Sequence, residues 1–365
     1  MTSTRREFLK ASAVAAVAAA TVRAGAAAFA QDAARRLPKH WTWVHGDARR
    51  TPAEWKQRFT EIRTAGIEAV LVSGGDAAML SDAARGAGLQ FHRWIWTLNH
   101  SGDAAAKTQH PDWFTVSRNG ESSLTKPPYV SYYQWLCPTR PEVREYMRGI
   151  VDALAQSRDI DGVHLDYVRH CDVILPVGLW PKYGLVQDHE MAEYDFCYCA
   201  VCREMFHAQT GRDPKLLADP STDALWRMFR WDSVTGLVKV LADAVHARNK
   251  PITAAVFPTP TIARRLVRQA WDQWPIDAVL PMLYHAFYNE HLAWIGASVK
   301  EGVAALSAGR TLHAGLYLPD LPPDQLAEAA TIALNAGAAG VCTFELNGLT
   351  AAHVSALAAV IARAH

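Results

Sequence analysis

The stretch Ile160–His170, Ile-Asp-Gly-Val-His-Leu-Asp-Tyr-Val-Arg-His, decides how the rest of the chain is read. Gly162, Val163 and Leu165 give it the apolar character of a buried strand. His164 and Asp166 are two residues apart and so share one strand face. Tyr167, Arg169 and His170 then crowd its C-terminal end. Charged side chains are almost never fully buried unless paired, so a strand ending in an acid, two histidines and an arginine is poor core material. In an α/β barrel that end is where active sites are built. The plainer alternative is a buried ion pair between Asp166 and Arg169.

Working outward, three strand-like segments precede this one: Trp41–Asp47, Ile67–Asp76 and Leu89–His100. Four follow it: Pro251–Pro260, Ile276–Tyr288, Thr311–Pro319 and Gly337–Leu349. Helical patterns lie between them. The first is capped by Thr51 with Pro52 at its first position and runs to Ala65. The others cover Ala77–Ala87, Glu142–Gln156, Thr222–Arg248, Arg264–Trp274, Glu290–Ala305, Pro323–Asn335 and Ala351–Ala364. Strands alternating with helices imply a parallel sheet. Eight such units over about 320 residues fit a (β/α)8 TIM barrel with insertions. An open doubly wound sheet would carry a glycine-rich phosphate turn after its first strand, and Trp43-Val44-His45-Gly46-Asp47 is not one.

Two connections are long. Asn99–Arg140 holds a hairpin signal at Asn119-Gly120, followed by Tyr129, Tyr132, Tyr133 and Trp135. The second runs from Cys171 to Asp219. Unstructured loops of this length are usually functional, and both leave the C-terminal face, where they can wall a cleft.

The amino terminus reads as an address. Arg5-Arg6 within Thr4–Lys10, an alanine-rich apolar run over Ala11–Val22 and the small-x-small site Ala28-Phe29-Ala30 form a twin-arginine signal peptide, residues 1–30. The apolar run is too short to span a bilayer comfortably. Residues 31–40 read as a linker and 41–365 as the barrel domain. The expected location is the periplasm or outside a bacterial cell, with the twin-arginine translocase as partner during export. Cleavage takes four of 37 basic residues (Arg5, Arg6, Lys10, Arg23) and one of 36 acidic ones (Glu7), leaving 33 against 35, or −2. That balance has no electrostatic footprint for nucleic acid or an anionic membrane.

The strand ends supply His45 and Asp47; Asp76; His92, Trp94, Trp96 and His100; Asp166 and Arg169; Tyr284 and His285; Tyr317; and Glu345 and Asn347. Carboxylates, amides and aromatic rings together are what sugars need, since ring faces stack on C–H surfaces and polar groups bind hydroxyls. The candidate substrate-binding set is Asp47, His92, Trp94, Trp96, His164, Arg169, Tyr284, His285 and Asn347. Any one of these tryptophans could equally fill the core. Glycoside hydrolysis needs two carboxyl groups flanking the scissile bond. Asp166 is the first choice, and Glu345, on the opposite strand of the barrel, is its expected partner, with Asp47 in reserve. Glu345 could instead pair structurally with Arg169 or a histidine.

Cys197, Cys199 and Cys202 form a C-x-C-x2-C cluster, while Cys137, Cys171 and Cys342 are scattered. The cluster is a candidate structural zinc or disulfide clip, completed by Cys171, His189 or His207. Cys342 reads as a buried core thiol. No cofactor is expected for catalysis.

Three pieces, His110–Trp113 (His-Pro-Asp-Trp), Trp135–Tyr146 (Trp-Leu-Cys-Pro-Thr-Arg-Pro-Glu-Val-Arg-Glu-Tyr) and Asp161–Arg169, resemble bacterial family-ten-like glycosylhydrolases. In that family the second piece usually reads Trp-Leu-Asn-Pro followed by Pro-Glu-Val-Arg, so Cys137 is a departure, as is the cysteine cluster. The resemblance implies a (β/α)8 barrel, carbohydrate hydrolysis on an oligo- or polysaccharide, and Asp166 as catalytic acid or nucleophile with His164 and Arg169 beside it. The alternatives are a non-catalytic carbohydrate-binding barrel and a metal-dependent hydrolase or lyase.

Overall fold

Short apolar runs alternate with amphipathic ones along the chain, and in the computed structural model the short runs close into a parallel barrel. The structure describes residues 37–47 and 49–363, so the signal-peptide reading of residues 1–30 lies outside the described residues. The strands are β1 (Trp41–His45), β2 (Ala69–Ser73), β3 (Gln90–Trp96), β4 (Gly162–Asp166), β5 (Ile252–Val256), β6 (Ala278–Pro281), β7 (Thr311–Tyr317) and β8 (Gly340–Phe344). Each pairs in parallel with the next, and β8 closes on β1 through Trp41–Cys342 and Thr42–Thr343. Eight main helices follow the eight strands: α1 (Pro52–Thr64), α2 (Ala77–Gly86), α3 (Pro141–Gln156), α4 (Ala224–His246), α5 (Pro260–Val267), α6 (Ala293–Ala305), α7 (Pro323–Asn335) and α8 (Ala351–Arg363). This is the (β/α)8 TIM barrel that the alternation implied. Among the described residues no helix is long and apolar enough to cross a membrane.

Local chemistry sets the helix starts. Thr51 and Glu54 form a capping box at α1, with Pro52 in its first turn. Asp76 and Asp223 cap α2 and α4 through their carboxylates. The fifth helix lies earlier than the expected Arg264–Trp274. Thr259 caps it with Pro260 at its start, and Arg268 ends it in the left-handed region at φ 57°. A pattern search weighs apolar spacing and passes over these start and stop devices.

Side chains fill the barrel in layers. At the N-terminal end Trp41 packs edge-on against His92, with ring centroids 4.8 Å apart, and against His313 at 5.8 Å. His92 lies so close to β4 that a Cβ on Gly162 would stand 2.3 Å from its Nδ1. The next layer holds Trp43, His164 and Thr253. Trp43 Nε1 donates to His164 Nε2 at 3.0 Å, which leaves Nδ1–H to donate to Thr253 Oγ1 at 2.8 Å. Burial pushes His164 well below the ordinary histidine range and His92 to about 4, so both are neutral core residues.

The long connections carry structure of their own. The hairpin at Asn119-Gly120 forms, with Val116 bridged to Ser122 and Gly120 at φ 91°. Short helices occupy Ala104–Gln109 and Pro111–Trp113 in the first connection, and Trp180–Tyr183 and Ala200–Thr210 in the second. Ser117 bridges Phe196, and Tyr198 N–H donates to Val116 O at 2.7 Å, so the two insertions share a small antiparallel patch.

Candidate active site

Above the His164 layer the barrel opens into a cavity of about 300 Å³, at the small end for ligand sites. Asp166 closes its floor at the last position of β4. Strand parity puts Asp166 inward over His164. The register places Trp94 beside His164 and Trp96 beside Asp166, and both tryptophans line the cavity. Trp94 Nε1 donates to Asp166 Oδ2 at 3.0 Å, and the backbone N–H of Tyr167 donates to Oδ1 at 2.7 Å. Those donors and nearby Arg169 favour the carboxylate. Burial among aromatic rings outweighs them and raises the carboxyl to about 6.

The chain turns sharply after Asp166. Tyr167 sits in the left-handed region at φ 49°, a conformation that costs an L-residue roughly 1–2 kcal/mol. Such outliers cluster at ligand sites. The turn lays the Tyr167 ring against Trp96 at 4.8 Å and brings Arg169 into the cavity wall. Arg169 pairs with Asp172 at 2.7 Å, not with Asp166, and its guanidinium lies over the rings of Trp135 (4.9 Å) and Phe257 (5.0 Å). Both partners of this ion pair are buried.

Most of the rest of the lining is aromatic, namely His45, Tyr133, Tyr183, Phe257, Tyr284, Phe287, Tyr288, Tyr317 and Phe344, with Met282 among them. Tyr133 comes from the insertion after β3. Leu175, Pro176, Leu179 and Tyr183 come from the insertion after β4, so both long loops wall the cleft. Burial, and next the negative charge of Asp166, hold the Tyr284 phenol well above its ordinary range, so its hydroxyl keeps a proton to donate.

Of the strand-end residues, the structure brings Asp166, Trp94, Trp96, Arg169 and Tyr284, together with His45 and Tyr317, to this one cavity. It sets the others elsewhere. His92 was expected in the lining but lies at the opposite end of the barrel, since its register partner on β4 is Gly162, four residues before Asp166. His164 lies in the layer beneath. Asp47 is tied to Arg49 at 2.9 Å, and that hydrogen-bonded partner lowers its carboxyl to about 2. His285 begins a 3-10 turn, His285–Tyr288, which sends Phe287 and Tyr288 to the cavity instead.

Glu345 was expected to point into the cleft opposite Asp166. On β8 the inward position belongs to Phe344, and Glu345, one residue later, caps the turn Leu346–Gly348. Its carboxylate accepts from the backbone N–H and the Nδ2 of Asn347, both at 3.2 Å, and Asn347 Oδ1 accepts from Arg50 at 2.6 Å. The second carboxylate lining the cavity is Asp172. It lies just past the stretch that points to the site, within a connection that reads as loop in the sequence.

The closed eight-stranded barrel carries its carboxyl and aromatic cavity at the C-terminal end of the strands, where sites on TIM barrels are built. A family model described as glycosyl hydrolase-like 10 matches residues 72–173, from β2 to just past Asp172. No curated protein sequence matches the chain. Among solved structures it is similar to the glycoside hydrolase domain of PgaB (BpsB) from Bordetella bronchiseptica, with TM-score 0.62, 12% identity, and 89% of this chain and 99% of that one covered. It is also similar to the catalytic domain of β-amylase from Paenibacillus polymyxa (TM-score 0.63, 11% identity, 90% and 99% covered). A chitinase from Chromobacterium violaceum follows the same path at TM-score 0.51, with 9% identity and 89% and 99% covered. At these identities the likeness is one of fold.

Proposed function

We propose that the chain is a glycoside hydrolase acting on an oligo- or polysaccharide, with Asp166 as the acid that protonates the leaving oxygen. The observation that carries this reading is the Asp166 carboxyl, raised to about 6 on the floor of an aromatic cavity. Glycoside cleavage near neutral pH needs a carboxyl that still holds its proton when substrate arrives. The proton passes from Asp166 to the bridging oxygen as the anomeric C–O bond breaks, and water supplies the replacement oxygen. Trp96, Tyr167, Tyr317 and Phe344 offer ring faces for the sugar, while Arg169 and the Tyr284 hydroxyl are donors for its oxygens. Asp172, paired with Arg169 at 2.7 Å, is the candidate second carboxylate in place of Glu345. The twin-arginine pattern supports action in the periplasm or outside the cell, on material met there.

One observation favours a second reading, a barrel that binds carbohydrate without cleaving it. Glu345 is spent on its own turn, and Asp172 is engaged by Arg169, so among the described residues no uncommitted carboxylate lines the cavity with Asp166. A screen of the protein on aryl glycosides and polysaccharides, beside Asp166→Asn, separates the two. Sugar release that Asp166→Asn abolishes supports hydrolysis. Saturable sugar binding with no release by the parent chain supports the binder.

A further inference from the structure

We propose that Cys137, Cys197, Cys199 and Cys202 form a structural zinc site that joins the two cleft-walling insertions. All four side chains are buried, and their sulfurs lie within 4.8 Å of one another. Cys137 Sγ is 3.4 Å from Cys202 Sγ and 3.8 Å from Cys199 Sγ. Four sulfurs at about 2.3 Å from one zinc stand about 3.8 Å apart along each edge of a tetrahedron. Disulfide sulfurs would be about 2.05 Å apart, and all four thiols are free. The fourth ligand is therefore Cys137, some sixty residues before the cluster. The sequence offered Cys171, His189 or His207 instead. Cys171 lies beside Asp172, and His189 is exposed and paired with Asp188.

The surroundings suit four thiolates. The backbone N–H of Val116 donates to Cys197 Sγ at 3.3 Å, and Thr139 Oγ1 lies 3.3 Å from Cys202 Sγ, where its hydroxyl can donate to a thiolate. Cys199 is the N-cap of the helix Ala200–Thr210 and Cys202 lies in its first turn, at the positive end of the helix dipole. Arg144 Nε donates to the carbonyl of Pro138, the residue after Cys137, at 2.8 Å, which sets a cation beside the cluster. Zinc binding displaces four thiol protons and leaves a site of net charge −2, which these donors offset. No sulfur of the four lines the cavity, so the ion's role is to hold loops. Cys137 stands four residues after Tyr133, which lines the cavity, and the loop carrying Cys197 also carries Tyr194, stacked on Tyr129 at 4.2 Å.

The test is metal analysis and thiol counting on the full chain, purified without chelator. We expect about one zinc per chain, with the four thiols unreactive until the protein is denatured or the metal is stripped. Cys137→Ser should lose the zinc, while Cys171→Ser and His207→Ala keep it. Metal-free parent protein would overturn the proposal, whether its thiols are free or its mass is lower by the hydrogens of two disulfides. So would iron in place of zinc, or zinc retained by a folded Cys137→Ser. The parent protein alone decides the central point even if the serine variant fails to fold.

Discussion

Asp166→Asn should stabilise the protein above neutral pH while abolishing turnover. In the folded chain burial raises this carboxyl from 3.8 to about 6. Between those values the folded state binds more proton than the unfolded one, so stability is greatest below about pH 4 and falls as pH rises through 6. At about 1.36 kcal/mol per pH unit, holding the ionised carboxylate in the cavity costs roughly 3 kcal/mol at pH 7.5. Asparagine never ionises, but it offers one acceptor to two donors, the Tyr167 N–H and Trp94 Nε1. The unmatched donor returns about 1 kcal/mol. The net gain is about 2 kcal/mol, or roughly 3 °C in melting temperature for a domain of this size. Melting curves from pH 4 to 8 provide the assay. The variant should gain on the parent with rising pH, slightly less stable than it below about pH 4 and crossing it at about pH 4.5, where the ionisation penalty equals the cost of the unmatched donor. A variant no more stable than the parent at pH 7.5, or an offset independent of pH, would mean that the carboxylate is held without penalty and would refute the reasoning.

Four further outcomes are expected. Asp172→Asn leaves buried Arg169 without its partner, so it should cost about 3 kcal/mol in denaturant unfolding, whereas an unchanged midpoint would mean that the aromatic faces alone sustain the guanidinium. Glu345→Gln should leave turnover within a few-fold of the parent, since the side chain serves its own turn, and a loss of orders of magnitude would return Glu345 to the mechanism. Gly162→Ala should destabilise by about 2 kcal/mol or more because its Cβ would meet the His92 ring at 2.3 Å, and a wild-type melting curve would show that the ring moves aside freely. Arg5→Lys with Arg6→Lys should block export, with the parent's mature form starting at Gln31, as read by N-terminal sequencing of exported protein; normal export of the double variant would remove the twin-arginine reading.

The barrel was legible because each strand is a short apolar run set between helical patterns, and Ile160–His170 marked the end of the barrel where the cavity lies. That Asp166, Trp94, Trp96, Arg169 and Tyr284 gather at one cavity was legible from their places at the strand ends. The rest turned on facts a linear pattern does not hold. Whether Phe344 or Glu345 faces inward is a matter of strand parity at one position. How deep His92 sits depends on register against Gly162. Asp172 lies in the irregular segment that follows the left-handed Tyr167, where the sequence shows no strand end. Cys137 meets Cys197, Cys199 and Cys202 only because two insertions from neighbouring strands fold onto each other.

The central claim is that Asp166 donates a proton to a glycosidic oxygen, and the pH dependence of kcat/KM on a hydrolysed glycoside tests it most directly. We expect activity to fall as pH rises through about 6, following the Asp166 carboxyl. Asp166→Asn should retain substrate binding and lose turnover by at least about 100-fold. An Asp166→Asn protein that hydrolyses the same substrate at the parent rate, with the same pH profile, would contradict the claim.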